Sequence, residues 1–152
     1  MDNTVASKYL EYRSNVLNYT NIDMNLELEN DEQVYIAVFD IPTESGIHLR
    51  HTMTLALVFG LNTHIYWGDG NVMVGLEKNM ETMKAMQSLF ISSSQILNSM
   101  TVVNDYSYFE SSKVRAYLKT RIGVYYRELS NETREEKFLT MLMKKVLNSI
   151  LN

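Results

Sequence analysis

Both ends of the chain carry a helical pattern of hydrophobic positions. Residues 4–19 place apolar side chains three and four apart, behind Thr4 as an N-cap residue, which predicts a first helix. Residues 132–151 repeat this spacing, and Thr133-x-x-Glu136 forms a capping-box motif at their start. Acidic residues at the front of this segment and lysines near its back complement the helix dipole. We therefore predict a helix at each end.

The middle of the chain contains patterns that are typical of strands. Residues 34–41 are rich in β-branched and aromatic residues and are apolar on both faces, which favours a central strand. Residues 64–67 and 71–76 flank Gly68-Asp69-Gly70, and this order predicts a β-hairpin. The sequence therefore predicts at least three strands.

Helical spacing returns in three further segments, which are residues 47–59, 78–100 and 110–129. No linker, repeat or low-complexity stretch divides the 152 residues, so we expect a single domain over 1–152. The expected fold is α+β, with a small antiparallel or mixed sheet covered by four or five helices. This sheet would contain residues 34–41, 64–67 and 71–76.

Composition removes several classes of function. The chain has no cysteine, which excludes disulfides, thiolate metal sites and cysteine nucleophiles and fits a reducing compartment. No apolar run approaches the ~20 residues of a membrane span, so we expect no membrane association. The charge is uneven: residues 1–105 hold 5 Lys/Arg against 13 Asp/Glu, and residues 106–152 hold 9 against 5. The two parts either attract each other across the fold or present different surfaces to partners.

Three phrases in the sequence occur in a recognisable order. They are Tyr19-Thr-Asn-Ile-Asp23, Val74-Gly-Leu-Glu-Lys-Asn-Met80 and Val114-Arg-Ala-Tyr-Leu-Lys-Thr-Arg-Ile-Gly-Val124. Over residues 10–129 the chain resembles a family of actinobacterial and phage-encoded domains of unknown function, although Asn79 stands where that family often has an acidic residue. The resemblance implies a viral, phage or mobile-element origin and a place in the cytoplasm of a bacterial or phage-infected cell. It brings no catalytic residues.

Residues 113–127 predict a basic helix interleaved with tyrosines. Arg115, Lys119 and Arg121 could contact phosphates, while the aromatic rings could stack on bases. The chain as a whole is acidic, however, and charges at this density also occur on solvated helix faces. One alternative function is therefore a nucleic-acid-associated accessory protein.

Histidines suggest a second alternative. His48 and His51 are three residues apart and could lie on one helix face as metal ligands, with His64, Asp69 or Glu44 as a third ligand. This would make the chain a metal-dependent hydrolase. No His-Glu-x-x-His motif is present, and first-turn surface histidines beside Arg50 are the more common explanation of the pair. We expect no metal and no cofactor.

The last predicted helix carries a wide apolar stripe that includes Phe138, Leu142, Val146 and Ile150. Such a stripe either packs deeply inside the domain or docks a second chain. Self-association as a homodimer through this helix is therefore one interpretation. No set of acids, bases or nucleophiles forms a convincing catalytic group. The leading hypothesis is a non-enzymatic interaction protein that binds another macromolecule, such as an inhibitor of a host system.

Overall fold

The computed structural model describes residues 5–43, 52–60 and 62–151. Within these residues one antiparallel sheet of seven strands is combined with three α-helices. The helices are α1 (Ser7–Asn18), α2 (Met80–Ser92) and α3 (Arg134–Leu151). The strands are β1 (Ile36–Pro42), β2 (Thr52–Val58), β3 (Asn62–Trp67), β4 (Val72–Met73), β5 (Thr101–Val103), β6 (Val114–Thr120) and β7 (Gly123–Leu129). The fold is therefore α+β.

The sheet has the order β4-β3-β2-β1-β6-β7-β5, with β1 at its centre. Successive side chains of a strand point to opposite faces, so each central strand serves two cores. Phe39 and Leu55 face the core that α2 and α3 cover. Val38 and Ala56 face the second core, which is covered by α1 and by tyrosines of residues 104–113. The sheet is thus enclosed on both sides.

Several predicted elements are confirmed. The two end helices of residues 4–19 and 132–151 correspond to α1 and α3, but α1 begins at Ser7 behind Ala6, so the prediction of Thr4 as its N-cap residue is wrong. Thr133 Oγ1 accepts a hydrogen bond from the Glu136 N–H at 3.1 Å, as the capping-box motif predicts. The strand at residues 34–41 corresponds to β1, and the predicted hairpin corresponds to β3 and a very short β4.

The prediction of a helix over residues 47–59 is wrong from Thr52 onward, where the chain forms β2. All seven residues of β2 are buried, so both faces of the strand are covered by other parts of the chain. A strand buried on both faces loses the alternation that distinguishes it from a helix. Residues 47–51 lie outside the described residues.

The prediction of a helix over residues 110–129, including the basic helix of 113–127, is also wrong. The segment is a hairpin of β6 and β7 that turns at residues 121–122. Ala116 and Leu118 face the α2–α3 core, whereas Tyr117 faces α1. Large tyrosines and the long stems of basic residues fill the α1 side, which hides the period of two expected for a strand.

The predicted helix 78–100 divides into α2 and a 3-10 segment, Ser93–Ser99. α2 begins at Met80 because the side chain of Asn79 accepts hydrogen bonds from the Glu81 N–H at 2.8 Å and the Thr82 N–H at 3.3 Å. The described residues hold three α-helices over a large sheet, which corrects the expected four or five helices over a small one.

α3 is attached to β7 through the buried carboxylate of Glu136. This carboxylate accepts hydrogen bonds from Arg127 Nε at 2.9 Å, from the Ser130 N–H at 3.1 Å and from the Glu132 N–H at 3.2 Å. Burial alone raises the pKa of Glu136, but the Arg127 guanidinium and these backbone donors lower it to about 2. The charged carboxylate therefore fixes the start of α3 against the sheet.

We expect Glu136→Gln to lower the free energy of unfolding by about 1–3 kcal/mol at neutral pH, because charged hydrogen bonds are lost at a buried position. The folded-state pKa of Glu136 lies below its ordinary value of 4.5, so this stabilisation is complete above pH 4.5 and declines as the pH falls toward 2. Urea unfolding between pH 2 and pH 7 should therefore show the two proteins converging in acid. Glu132→Gln, at an exposed side chain, is the control and should differ little from wild type at any pH. A gap between wild type and Glu136→Gln that stays constant down to pH 2 would contradict this role.

Candidate functional site

The three predicted phosphate-binding residues form hydrogen bonds or ion pairs with other residues of the chain. Arg115 is only 1% exposed and lies between β1 and β7 on the α1 face of the sheet. Lys119 Nζ donates to the carbonyl oxygens of Leu17 at 2.8 Å and Tyr19 at 2.6 Å. It thereby caps the C-terminus of α1, where a positive charge is favourable. Burial lowers the pKa of this lysine.

Arg121 lies in the turn between β6 and β7. Its Nε forms an ion pair of 2.6 Å with Asp31, in which both side chains are substantially exposed. This pair connects the acidic first part of the chain with the basic last part. The structure therefore does not bring Arg115, Lys119 and Arg121 together as one basic surface, and this arrangement does not favour nucleic-acid binding.

The apolar stripe of α3 packs inside the chain. Leu142 is 3% exposed and Val146 is 0% exposed, and both lie in the core that α3 shares with α2 and the sheet. Phe138 and Ile150 are partly buried and pack against the same core. The residues expected to join two chains as a homodimer are thus used within one chain, and the homodimer itself stays a prediction.

The proposed metal ligands do not assemble within the described residues. His48, His51 and Glu44 lie outside them. His64 is half-buried and stacks on Tyr66 with ring centroids 6.1 Å apart. Burial lowers the pKa of His64, while Glu77 opposes this shift. No group of three His, Asp or Glu side chains in residues 5–43, 52–60 and 62–151 could hold a metal ion.

A row of polar side chains crosses the α1 face of the sheet. Cross-strand pairing places in line the residues Tyr66, Thr54, Asp40, Arg115 and Glu128, which we call the polar row. Asp40, fully buried at the centre, accepts hydrogen bonds from Arg13 Nη2 at 2.8 Å and Thr54 Oγ1 at 2.7 Å. Tyr9 adds a hydrogen bond of 2.6 Å to Thr54. This network joins α1 to the sheet.

The phenols beside the polar row stay protonated near neutral pH. Burial and the charge of Asp40 raise the pKa of Tyr9 far above its ordinary value. The same two causes raise the pKa of Tyr117 to about 12. Asp40 and Tyr9 are both 0% exposed, and their polar atoms are engaged in hydrogen bonds within the fold. The network is suited to holding the fold together and not to acid–base catalysis.

A groove lies between the loop before β1 and the end of α2. Its volume is about 310 Å³, and we call it the acidic groove; it is lined by Glu29, Asn30, Glu32, Gln33, Val34, Phe59, Phe90, Ile91 and Ser94. Phe59 and Phe90 pack edge to face with centroids 5.7 Å apart and form an aromatic floor. Ile91, at the edge of the groove, is 74% exposed. The groove is therefore apolar at its base and acidic at its rim.

The rim of the acidic groove is ordered by short-range contacts. The Glu29 N–H donates to Gln33 Oε1, and the Glu32 N–H donates to Asn30 Oδ1, each at 2.8 Å. Asp31 is neutralised by Arg121. Among the described residues Glu29 and Glu32 form no ion pair, and both are exposed. Two uncompensated negative charges thus border an apolar floor.

A second groove borders the other side of the 3-10 segment Ser93–Ser99. Its volume is about 580 Å³, and its lining includes Phe138, Met141 and Ile96 together with charges of both signs. Arg134 and Lys137 lie near the acidic Glu135, so this groove has no single charge preference. The acidic groove, with carboxylates as its charged lining, therefore favours a partner of one charge sign more clearly than the second groove does.

Sequence reasoning did not find the two features that matter most here. Asp40 is a charged residue near the end of an apolar central strand, and that position was a readable signal of a buried ion pair. Arg13 offered a weaker signal, since it lies close to the apolar stripe of α1. The acidic groove gave no signal, because its rim, floor and edge come from segments about 30 residues apart in sequence.

The fold and these surfaces define an α+β protein with an enclosed sheet and an exposed acidic groove. No family model, curated protein or solved structure matches the chain. The resemblance to actinobacterial and phage-encoded domains therefore stays a prediction. In the described part of the chain, none of the helices combines the length and the apolar composition needed to cross a bilayer.

Proposed function

We propose that this chain is a non-enzymatic interaction protein that binds a protein partner in the acidic groove. The observation that carries this proposal is the combination of an apolar floor with the uncompensated carboxylates of Glu29 and Glu32. A complementary partner is an extended segment with one large apolar side chain between lysines or arginines. The apolar side chain would pack against Phe59, Phe90 and Ile91. The basic groups would pair with the rim.

Two further features support this partner chemistry. The first 105 residues hold 5 basic against 13 acidic residues, so their field attracts a basic segment from a distance. The hydrogen bonds of Gln33 and Asn30 fix the rim loop before any partner arrives. A preformed site loses less conformational entropy on binding. A phage-encoded inhibitor that covers a basic segment of a host protein would act in this way, and we include that role in the proposal.

The partner class can be tested with a random peptide library displayed on phage and selected on the purified protein. We expect enriched peptides to combine a large apolar residue with flanking Lys or Arg. In fluorescence anisotropy, Ile91→Ala and the double variant Glu29→Gln, Glu32→Gln should each weaken binding about 5- to 30-fold, since loss of the apolar contact or of both charges costs about 1–2 kcal/mol. Raising the salt concentration should weaken binding to wild type.

Met80→Ala is the matched control for Ile91→Ala, because Met80 lies on the same helix and is 70% exposed but outside the groove. Glu11→Gln controls for the loss of a negative charge at an exposed position. Neither control should change the affinity for the selected peptides. Enriched peptides without basic residues, or peptides that bind the groove variants as tightly as wild type, would refute the proposal.

A further inference from the structure

Arg115 is a buried cation without an anionic partner among the residues that the structure describes. Its residue is 1% exposed, yet among the described residues its guanidinium forms no ion pair. Nη1 donates to the carbonyl oxygen of Phe109 at 2.6 Å, while the buried Nε has no hydrogen-bond partner in residues 5–43, 52–60 and 62–151. A buried charge of this kind is costly unless an anion accompanies it.

The neighbours of Arg115 in the polar row do not neutralise it. Asp40 lies opposite it on β1, but that carboxylate is engaged by Arg13 and Thr54. Glu128 lies opposite it on β7, but its side chain is 41% exposed and is 4.0 Å from Lys113. The buried group of Arg13, Asp40 and Arg115 therefore holds one more positive than negative charge.

Residues 104–113 cover this group without forming a helix or strand, and we call them the cover segment. Two buried arginines hold it: Arg13 Nη1 donates to the Tyr106 carbonyl oxygen at 2.8 Å, and Arg115 donates to that of Phe109. The ring centroids of Tyr108 and Phe109 lie 5.4 and 4.9 Å, respectively, from the guanidinium carbon of Arg115. A groove of about 420 Å³ separates α1 from residues 104–108 of the cover segment. The cover thus presents a neutral carbonyl oxygen where an anion would be favoured.

Tyr117 supplies a second unused donor. It follows Arg115 on the same face of β6 and is 2% exposed, and its hydroxyl has no hydrogen-bond partner in the described part of the chain. We propose that Arg115 and Tyr117 form a binding site for a carboxylate, which enters when the cover segment lifts. The carboxylate would accept two parallel hydrogen bonds from Nε and Nη2, which lie on one edge of the guanidinium, a geometry that suits planar anions. The surrounding aromatic rings favour a carboxylate on an apolar or aromatic group.

Titration of the isotope-labelled protein with sodium benzoate tests this site directly by NMR of the arginine Nε–H groups. We expect a saturable shift of the Arg115 Nε–H signal by about 50 mM benzoate, a concentration that saturates a site of millimolar Kd. Sodium chloride at equal ionic strength should not reproduce the shift. The Arg121 signal, from an exposed arginine paired with Asp31, is the internal control and should not follow the same curve. Absence of a saturable Arg115 shift, the same curve at Arg121, or tighter binding of inorganic phosphate than of benzoate would overturn the proposal.

Arg115→Met separates a ligand site from a purely structural role, since methionine keeps much of the length and removes the charge. We expect its melting temperature without ligand to equal or exceed that of wild type, because a buried charge without a partner is replaced by an apolar group. Benzoate at about ten times its Kd should raise the wild-type melting temperature by roughly 3–5 °C and leave the variant unchanged. A variant that melts well below wild type would show that Arg115 serves to hold the cover segment, and would contradict the proposal. A variant that does not fold would contradict the proposal in the same way.

Discussion

Asp40→Asn is expected to lower the free energy of unfolding by about 3–5 kcal/mol, the cost of leaving a buried charge without its partner. Asp40 is 0% exposed and is bound by Arg13, itself 3% exposed, through Nε at 3.0 and 3.1 Å and through Nη2 at 2.8 Å. Asparagine keeps the shape of the side chain but removes the only carboxylate that offsets Arg13 in the described structure. Urea unfolding followed by circular dichroism measures the loss.

Asp31→Asn is the matched control for this change. Asp31 also pairs with an arginine, Arg121, but the two side chains are 62% and 45% exposed. Exposed ion pairs contribute little, so we expect a change within about 0.5 kcal/mol. Similar effects of Asp31→Asn and Asp40→Asn would show that burial does not govern these pairs.

A double-mutant cycle tests whether Arg13 and Asp40 act as a unit. Because each single change leaves the other charge buried without its hydrogen-bonded partner, Arg13→Met combined with Asp40→Asn should destabilise less than the sum of the two single changes. We expect the difference to exceed about 1 kcal/mol, within the range for residues in direct contact. Additive effects would mean that the two side chains contribute independently.

Prediction from sequence succeeded where one pattern governs one element. α3 separates charged from apolar residues around its circumference and carries the Thr133–Glu136 motif, so its type and ends were readable. β2 shows no such separation of charged from apolar residues, because α1 covers one face of this strand and α2 and α3 cover the other. An apolar run without alternation is compatible with either a helix or a strand.

The β6–β7 hairpin was misread for a different physical reason. Val114, Leu118, Ile122, Tyr125 and Leu129 follow one another at helical intervals, although they belong to two strands and a turn. The α1 face of these strands carries Arg115 and Tyr117 where a buried strand usually carries aliphatic residues. A buried polar row therefore erased the strand signal. Gly123, with φ of 154°, closes the turn and does not interrupt a helix.

The candidate sites could not have been predicted from one stretch of sequence. The acidic groove depends on how the loop before β1 meets the end of α2, and local patterns do not encode that meeting. The uneven distribution of charge along the sequence was more informative. The ion pair of Asp31 with Arg121 joins the acidic first part of the chain to the basic last part. That pair also leaves Glu29 and Glu32 as the uncompensated charges of the rim. Tertiary pairing thus decides which of three neighbouring acids is available to a partner.

Leu142→Ala is expected to lower the free energy of unfolding by about 2–5 kcal/mol, the usual cost of a cavity at a buried leucine. Leu142 is 3% exposed and packs in the core between α3, α2 and the sheet. Met141→Ala, at the adjacent residue of the same helix, is the control: its side chain is 43% exposed, and we expect a change below about 1 kcal/mol.

Urea unfolding at two protein concentrations tenfold apart distinguishes this core role from an interface between two chains. If Leu142 belongs to an internal core, the urea midpoint of unfolding is independent of protein concentration in all three proteins. If Leu142 forms an interface between two chains, the wild-type midpoint rises with protein concentration and the Leu142→Ala midpoint does not. The second result would refute the assignment of the α3 stripe to the core.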